Sequence, residues 1–345
     1  MIRFNNDYSE ACHPRILEAL AASNLEGNTG YSTDAHTAHA KALIRAAAGC
    51  PDADVYMMVG GTQTNTVAIA GFLRPWQAAI AADTGHICVH ETGAIEASGH
   101  KCIACPNVDG KLTPEAIRAV CAEQSGVVHM VQPGLVYISE TTELGTLYTF
   151  AELQALRRVC DECGLILYID GARVGSALAT GRITLPQIAQ VADAFYIGGT
   201  KNGALFGEAL VICNDKLKEN FAYNIKQRGA LLAKGWLLSV QFEVLLQEDL
   251  FVELARHANA QSIRLRDGIA ALGYDFANQS ETNQQFPLLP DNVVAALAKD
   301  FGFELQAKPD DAHTVIRLVT SWATQPADVD AFLAALAALT PAKAL

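Results

Sequence analysis

Short apolar runs alternate with helix-period segments through much of this chain, and that alternation restricts its fold more than any other feature. The runs are Val55–Val59, Ala78–Ala82, Val127–Val131, Leu135–Ser139, Leu165–Asp170, Ala194–Gly198 and Leu210–Cys213. Each is too short for a typical buried helix and long enough for a buried strand. Helical periodicity falls between several of them, notably over Pro114–Glu123 and Ala151–Cys163. Strands separated by helices form a mainly parallel sheet covered on both faces. In such sheets ligands gather at the carboxyl ends of the strands.

The chemically informative residues fall at those ends. Phe195-Tyr196-Ile197 runs into Gly198-Gly199-Thr200-Lys201-Asn202-Gly203. A lysine just past a buried strand, flanked by glycines, stands where backbone approaches a ligand closely. Burial disfavours its charge and leaves a neutral amine able to form a Schiff base with a cofactor aldehyde such as that of pyridoxal phosphate. The plain alternative is a solvated turn lysine. After Val55–Val59 comes Gly60-Gly61-Thr62-Gln63-Thr64-Asn65, then an apolar helix through Val67, Ile69 and Phe72. Strand, glycine turn, hydroxyl and helix make an anion cradle from free N–H groups and the positive helix end. The spacing is not that of a Walker loop or a dinucleotide fingerprint. The alternative is an ordinary turn with Thr62 as helix cap.

Asp170 ends the run Leu165–Asp170, followed by Gly171-Ala172-Arg173. A carboxylate at a buried strand end needs a partner. Arg173 offers a structural ion pair, and a ligand cation such as a protonated pyridine nitrogen offers a functional one. His86 follows the strand near Asp83, where an imidazole either stacks on a flat ring or bonds within its loop. His90, Glu96 and His100 read as ordinary loop residues, with no tidy metal spacing. Arg317, in Val315-Ile316-Arg317-Leu318-Val319, points into a cleft or lies at an exposed edge; in a cleft its guanidinium suits a carboxylate.

Composition narrows the class. With 345 residues and half of them hydrophobic, the chain can bury one large core and a smaller one. A net charge of −12 without a basic run argues against nucleic acid and anionic membranes as partners. No apolar run has the length of a membrane span, and Met1–Asp7 has no signal-peptide character, so a cytoplasmic protein is expected. The nine cysteines include Cys102/Cys105 and Cys160/Cys163, too far apart in sequence for one zinc module, and read as core or surface thiols. Three regions are expected: an N-terminal segment over 1–45, a large unit over 46–245 and a smaller α+β unit over 246–345. Within the last, strands are expected around Phe286–Leu289 and Val315–Val319, with a closing helix from Pro326 to Leu339.

Taken together, Gly61-Thr62-Gln63, His86 with Glu91, Asp170-Gly171-Ala172-Arg173, Thr200-Lys201 and Arg317-Leu318-Val319 occur in an order and spacing that resembles the threonine aldolase family, across nearly the whole chain. The resemblance implies the fold type I architecture of pyridoxal 5'-phosphate enzymes, with a mainly parallel seven-stranded sheet and a smaller α+β C-terminal part. It implies cleavage of L-threonine, L-allo-threonine or related β-hydroxy-α-amino acids to glycine and an aldehyde. By the same resemblance Lys201 attaches the cofactor, Asp170 keeps its pyridine nitrogen protonated, and His86 stacks on its ring. Arg173 reaches the phenolic oxygen, while Gly61, Thr62, Thr200 and Lys234 hold the phosphate. Arg317 grips the substrate carboxylate, with Asn6, Tyr31 and Glu91 as further substrate-site residues. Family members are homodimers or homotetramers with sites at the interface, so Tyr31 and Lys234 are expected to serve a neighbouring subunit. Two positions depart from the pattern. Glu143 stands where a histidine is frequent, as direct base, base through water, or sign of a different side chain on the substrate; Asn6 stands where a serine is frequent. Rival readings are a pyridoxal-phosphate lyase that eliminates a β-substituent, a phenylserine-type aldolase, and a binding module that kept the fold.

Overall fold

The structure is a computed structural model and describes residues 1–340. A two-residue strand, β1 (Ile2–Arg3), precedes the large sheet. That sheet comprises β2 (Asp54–Met58), β3 (Gln77–Ala82), β4 (Cys102–Cys105), β5 (Gln132–Ser139), β6 (Ile166–Asp170), β7 (Ala194–Gly198) and β8 (Glu208–Ile212), ordered β2-β8-β7-β6-β5-β3-β4. Every pairing is parallel except the two made by β8, which runs against β2 and β7.

Alternation along the strands builds two cores. Leu167, Ile169, Phe195, Ile197 and Val211 pack on one face against helices including Ala35–Ala48, Phe150–Cys163 and Trp236–Leu245. Tyr168, Ala194, Tyr196 and Leu210 face the other side, against the helices Gly61–Phe72 and Phe221–Gln227. A strand buried on both faces reads as a continuous apolar run, which is why β5 to β8 were visible in the sequence. The helix Phe150–Cys163 opens on a reciprocal Thr149–Glu152 capping box and closes on Gly164 at φ 68°.

Two elements differ from expectation. Val127–Val131 is a turn, because Gln132 Nε2 donates to the carbonyls of Gln124, Val127 and Met130 and folds the segment on itself. The expected strand begins only at Gln132. Conversely, Cys102–Cys105 is an edge strand. Alternation sends its two cysteines to opposite faces, so they cannot share one metal.

A third core joins the two ends of the chain: Phe4 packs with Leu265, Ile269, Ile316, Leu318 and Phe332. Around it lie β9 (Gln284–Gln285), β10 (Leu288–Pro290), β11 (Phe301–Gly302), β12 (Glu304–Ala307) and β13 (His313–Val319). β13 runs antiparallel to β9, β10 and β12, and β1 runs parallel to β11. The helix Pro326–Leu339 closes the chain. Phe4 N–H donates to Gly302 O and Val319 N–H donates to Phe4 O, so residues 5–8 are delivered beside Arg317.

Candidate active site

A cavity of about 780 Å³ opens at the carboxyl ends of β2, β3, β5, β6 and β7, and Asp170, Lys201, Glu143 and Arg317 all line it. Its floor is Asp170, 3 % exposed, whose two oxygens accept four hydrogen bonds. Tyr137 Oη (2.6 Å) and Asn65 Nδ2 (3.0 Å) donate to Oδ2. Tyr196 Oη (2.5 Å) and Ala172 N–H (2.9 Å) donate to Oδ1. Burial pushes this carboxyl up, but His86 and the donors Tyr137, Tyr196 and Asn65 outweigh it and hold the group below its ordinary range. Asp170 is therefore an anion with no protein cation bonded to it, a state that calls for a positive ligand group. The ion pair with Arg173 does not form. Arg173 turns instead to Asp7, Nε to Oδ2 at 2.7 Å and Nη2 to Oδ1 at 3.1 Å. The reason is topological: Asp7 arrives with the strapped N-terminus and offers a bidentate partner.

His86 opens the short helix His86–Val89 at the cavity wall. Its Nδ1 lies 2.8 Å from Glu91 Oε1, and the Glu91 side chain is fully buried. Asn65 Nδ2 donates to that same Glu91 oxygen at 2.7 Å as well as to Asp170. Tyr168 Oη donates to Asn65 Oδ1 at 3.0 Å, which fixes the amide's orientation. The imidazole plane is thus tied through Glu91 and Asn65 to the floor carboxylate. Glu91, expected at the substrate site, lies beneath His86 and holds it, and it is not among the residues lining the cavity.

Lys201 sits above this floor. Gly171 and Gly198 make the approach possible, since a Cβ at Gly171 would overlap the Tyr196 carbonyl oxygen and one at Gly198 would press on Ala172 O. Burial and the charge of Arg173 lower the Lys201 pKa, against the opposing pull of Asp7, Asp170 and Glu208. The result is an amine with increased neutral fraction, the form that attacks a carbonyl carbon.

The β2 turn carries an open helix end. The helix Gly61–Phe72 is capped by Gly60, without a side-chain cap bond, so Thr62 is in the first turn and not the cap. Its first N–H groups have no helical partner, and Gly61 and Thr62 border the cavity together with Thr200. Uncapped N–H groups at the helix dipole's positive end fit a phosphate.

Arg317 supplies the opposite pole. Its Nε is buried without a partner, and Nη2 makes only a 3.4 Å bond to Asn5 O. Burial and Arg173 lower its pKa. An unspent, half-buried guanidinium beside a second one is complementary to a carboxylate. Glu143 Oε1 accepts from Ser139 Oγ (2.6 Å) and His86 N–H (2.8 Å), while burial raises its pKa against those bonds. Asn6 does not line the cavity; its Oδ1 accepts from Tyr8 N–H and Ser9 Oγ. Tyr31 and Lys234 also lie outside this chain's cavity, on one exposed surface where Tyr31 N–H donates to Ala233 O. Asn65, Tyr137, Tyr196, Asp7 and Glu208 were not singled out from sequence. The tyrosines read as core, and only the register that brings β5, β6 and β7 together turns them into donors.

Comparison with known proteins finds relatives along nearly the whole chain. The family model for beta-eliminating lyases matches residues 9–291. The low specificity L-threonine aldolase of Pseudomonas aeruginosa is 32% identical over 298 residues, 85% of each chain. That of a Pseudomonas sp. is 31% identical over 330 residues, 94% of each. Among solved structures, a Leishmania major threonine aldolase superposes with a TM-score of 0.97 at 47% identity, covering 99% of this chain and 100% of that one. A Thermus thermophilus aspartate aminotransferase, at 16% identity and TM-score 0.73, shares the fold.

Proposed function

The chain belongs to the beta-eliminating lyase family, and on that premise we propose that it is a pyridoxal-phosphate-dependent aldehyde-lyase cleaving threonine-type β-hydroxy-α-amino acids to glycine and an aldehyde. One observation carries the proposal: the Lys201 amine and the Asp170 carboxylate open onto the same cavity, with the unspent guanidinium of Arg317 on its wall. The residues fit the cofactor. Asp170 offers an anion to a pyridine nitrogen, Lys201 a neutral amine to an aldehyde, and the open helix end at Gly61 and Thr62 a seat for phosphate.

When bound, pyridoxal phosphate supplies an electrophilic carbon for the substrate amine and an electron-poor ring that takes up the pair released at Cα. The protein does the rest. Asp170 keeps the ring nitrogen protonated, because its own four donors hold it as an anion. His86, fixed by Glu91, would pack against the ring and help exclude water. Arg317 grips the substrate carboxylate and sets which bond at Cα stands ready to break. Glu143, desolvated and raised, takes the β-hydroxyl proton directly or through one water. Lys201 would hold the cofactor through its amine, whose neutral form burial favours.

Incubation of the purified protein with threonine, allo-threonine and phenylserine tests the reading: glycine and the matching aldehyde are expected. Pyruvate and ammonia in their place identify a β-eliminating enzyme and overturn the aldolase assignment. Replacing Arg317 with alanine should raise KM roughly 10- to 100-fold with a smaller change in kcat, the cost of losing charge-assisted bonds of about 1.5–3 kcal/mol. Glu143→Gln should lower kcat by about 10²-fold or more, without disturbing the cofactor's absorption. A retro-aldol rate equal to wild type would remove Glu143 from the proton path.

The exposed surface bearing Tyr31 and Lys234 belongs, in this reading, at the cavity of a neighbouring copy in a cytoplasmic homodimer or homotetramer. Supporting it, Tyr31 and Ser32 are both held at positive φ, 58° and 60°, and Lys226 Nζ lies 4.6 Å from the Tyr31 ring centre. Light scattering that returns a monomer mass at working concentration would exclude the arrangement. Among the described residues, no helix is long and apolar enough to cross a membrane.

A further inference from the structure

We infer that Glu208 and Thr200 form a proton-coupled gate on phosphate binding: the Thr200 hydroxyl donates to the cofactor's phosphate only when Glu208 carries a proton. The inference rests on the placement of the phosphate between the Gly61 helix end and Thr200. Glu208 is a buried carboxyl that the reaction does not use, 4 % exposed yet on the cavity wall beside Thr200.

A threonine hydroxyl has one hydrogen and two lone pairs. Here Thr200 Oγ donates its hydrogen to Glu208 Oε1 at 2.7 Å and accepts from Gly207 N–H at 3.0 Å. The other Glu208 oxygen accepts from Gly199 N–H at 3.1 Å. While Glu208 is ionised, the hydrogen of Thr200 is committed inward, and the hydroxyl has only a lone pair left for the cavity. A lone pair repels a phosphate oxygen. Once Glu208 takes a proton from solvent, the bond reverses. Glu208 O–H then donates to Thr200 Oγ, both lone pairs of the hydroxyl are filled from within the protein, and its hydrogen is free to meet the phosphate.

The surroundings favour such a proton. Lys201 is the nearby cation, and Asp170 a nearby anion that opposes ionisation. Across β7 and β6 the phenols of Tyr196 and Tyr168 feel the Glu208 charge. The helix Gly61–Phe72 brings no charged side chain to this face. On β2, Asp54 and Tyr56 stand toward the far end, since Met58 and not Asp54 pairs with Glu208. From the helix Trp236–Leu245 come Leu238 and Phe242 against Gly207; its one carboxylate, Glu243, is bound by His36 and His39. Burial drives the Glu208 pKa up to about 8, with Thr200 and Lys201 offsetting only part of the shift. An arriving phosphate dianion raises it further by like-charge repulsion. Below that value the proton is in place and phosphate binds fully. Above it, binding must draw in a proton, so the phosphate's contribution falls as pH rises.

The experiment compares pyridoxal 5'-phosphate with pyridoxal, which lacks the phosphate, on cofactor-stripped wild type, E208Q and T200V. The ratio of the two dissociation constants cancels the titrations of Lys201 and Asp170. It is read between about pH 7 and pH 9.5, where the free phosphate is already a dianion. In wild type the phosphate's advantage should fall about tenfold per pH unit above the transition. In E208Q, whose amide donates to Thr200 at every pH, it should stay flat. Calorimetry of wild type in buffers of different ionisation heat should show close to one more proton taken up with pyridoxal phosphate than with pyridoxal near pH 9 (a measurement that needs no variant). Equal slopes in wild type and E208Q, or no extra proton in wild type, overturn the gate. T200V separates the two levels. If it keeps the wild-type phosphate advantage at about pH 7, the phosphate sits elsewhere and the placement falls with the gate. If it loses about tenfold there while E208Q follows wild type, the placement stands and the gate alone is wrong.

Discussion

Lys201→Ala is expected to lose turnover by roughly 10⁴-fold or more, the scale seen when a covalent anchor or its activating partner is removed. Nothing else on the cavity wall replaces it, because the other basic side chains there are the guanidinium groups of Arg173 and Arg317 and the imidazoles of His86 and His90, none of them a primary amine. The fold should survive, since Lys201 is in a turn beyond β7 and packs in neither face of the sheet. Two readouts separate loss of chemistry from loss of structure. The visible band of attached cofactor should be absent in the variant, with far-UV dichroism unchanged. Borohydride reduction of wild type should fix the cofactor to Lys201 alone. Recovery of the label on a different lysine would end the assignment.

Asp170→Asn carries the second large effect. The amide keeps the size of the carboxyl and one acceptor oxygen, so Tyr137, Tyr196 and Asn65 are not all stranded. What disappears is the charge. Removing one partner of a buried ion pair costs about 3–5 kcal/mol, or two to nearly four powers of ten in rate if the ring nitrogen then loses its proton. Cofactor should still bind through Lys201 and the phosphate seat, more weakly, and its absorption should report an unprotonated ring. Asp170→Ala is a worse probe, because it leaves three buried donors without an acceptor and costs stability as well. A wild-type rate in Asp170→Asn would show that the ring charge is not what drives bond cleavage, and the electron-sink role would fall with it.

Much of the site could be named before the fold was known, and the reason differs by residue. Asp170 and Lys201 follow apolar runs, and a polar residue at the end of a buried strand stands out against what precedes it. Gly60-Gly61-Thr62 stands out because glycine marks a place where backbone is open. Arg317 was harder: strand alternation alone left it between a cleft and an edge, and its unpartnered Nε resolves that. Tyr137, Tyr196 and Asn65 gave no sign, since a tyrosine within a hydrophobic strand looks like core until a neighbouring strand ends in a carboxylate. Asp7 gave none either, because its partner Arg173 is remote in sequence and is met only after β1 pairs with β11.

Local pattern was therefore enough to establish a parallel α/β sheet, the strand ends at which its cavity opens, and the amine, acid and glycine turn that lie along them. Those depend on hydrophobic periodicity and on residues a few positions apart, which a linear chain records directly. The tertiary structure decided the partners: Arg173 with Asp7, His86 with Glu91, Asp170 with two strand tyrosines, Thr200 with Glu208. Hydrogen bonds act over about 3 Å, and which groups come that close depends on strand order and register, set by how the whole sheet packs.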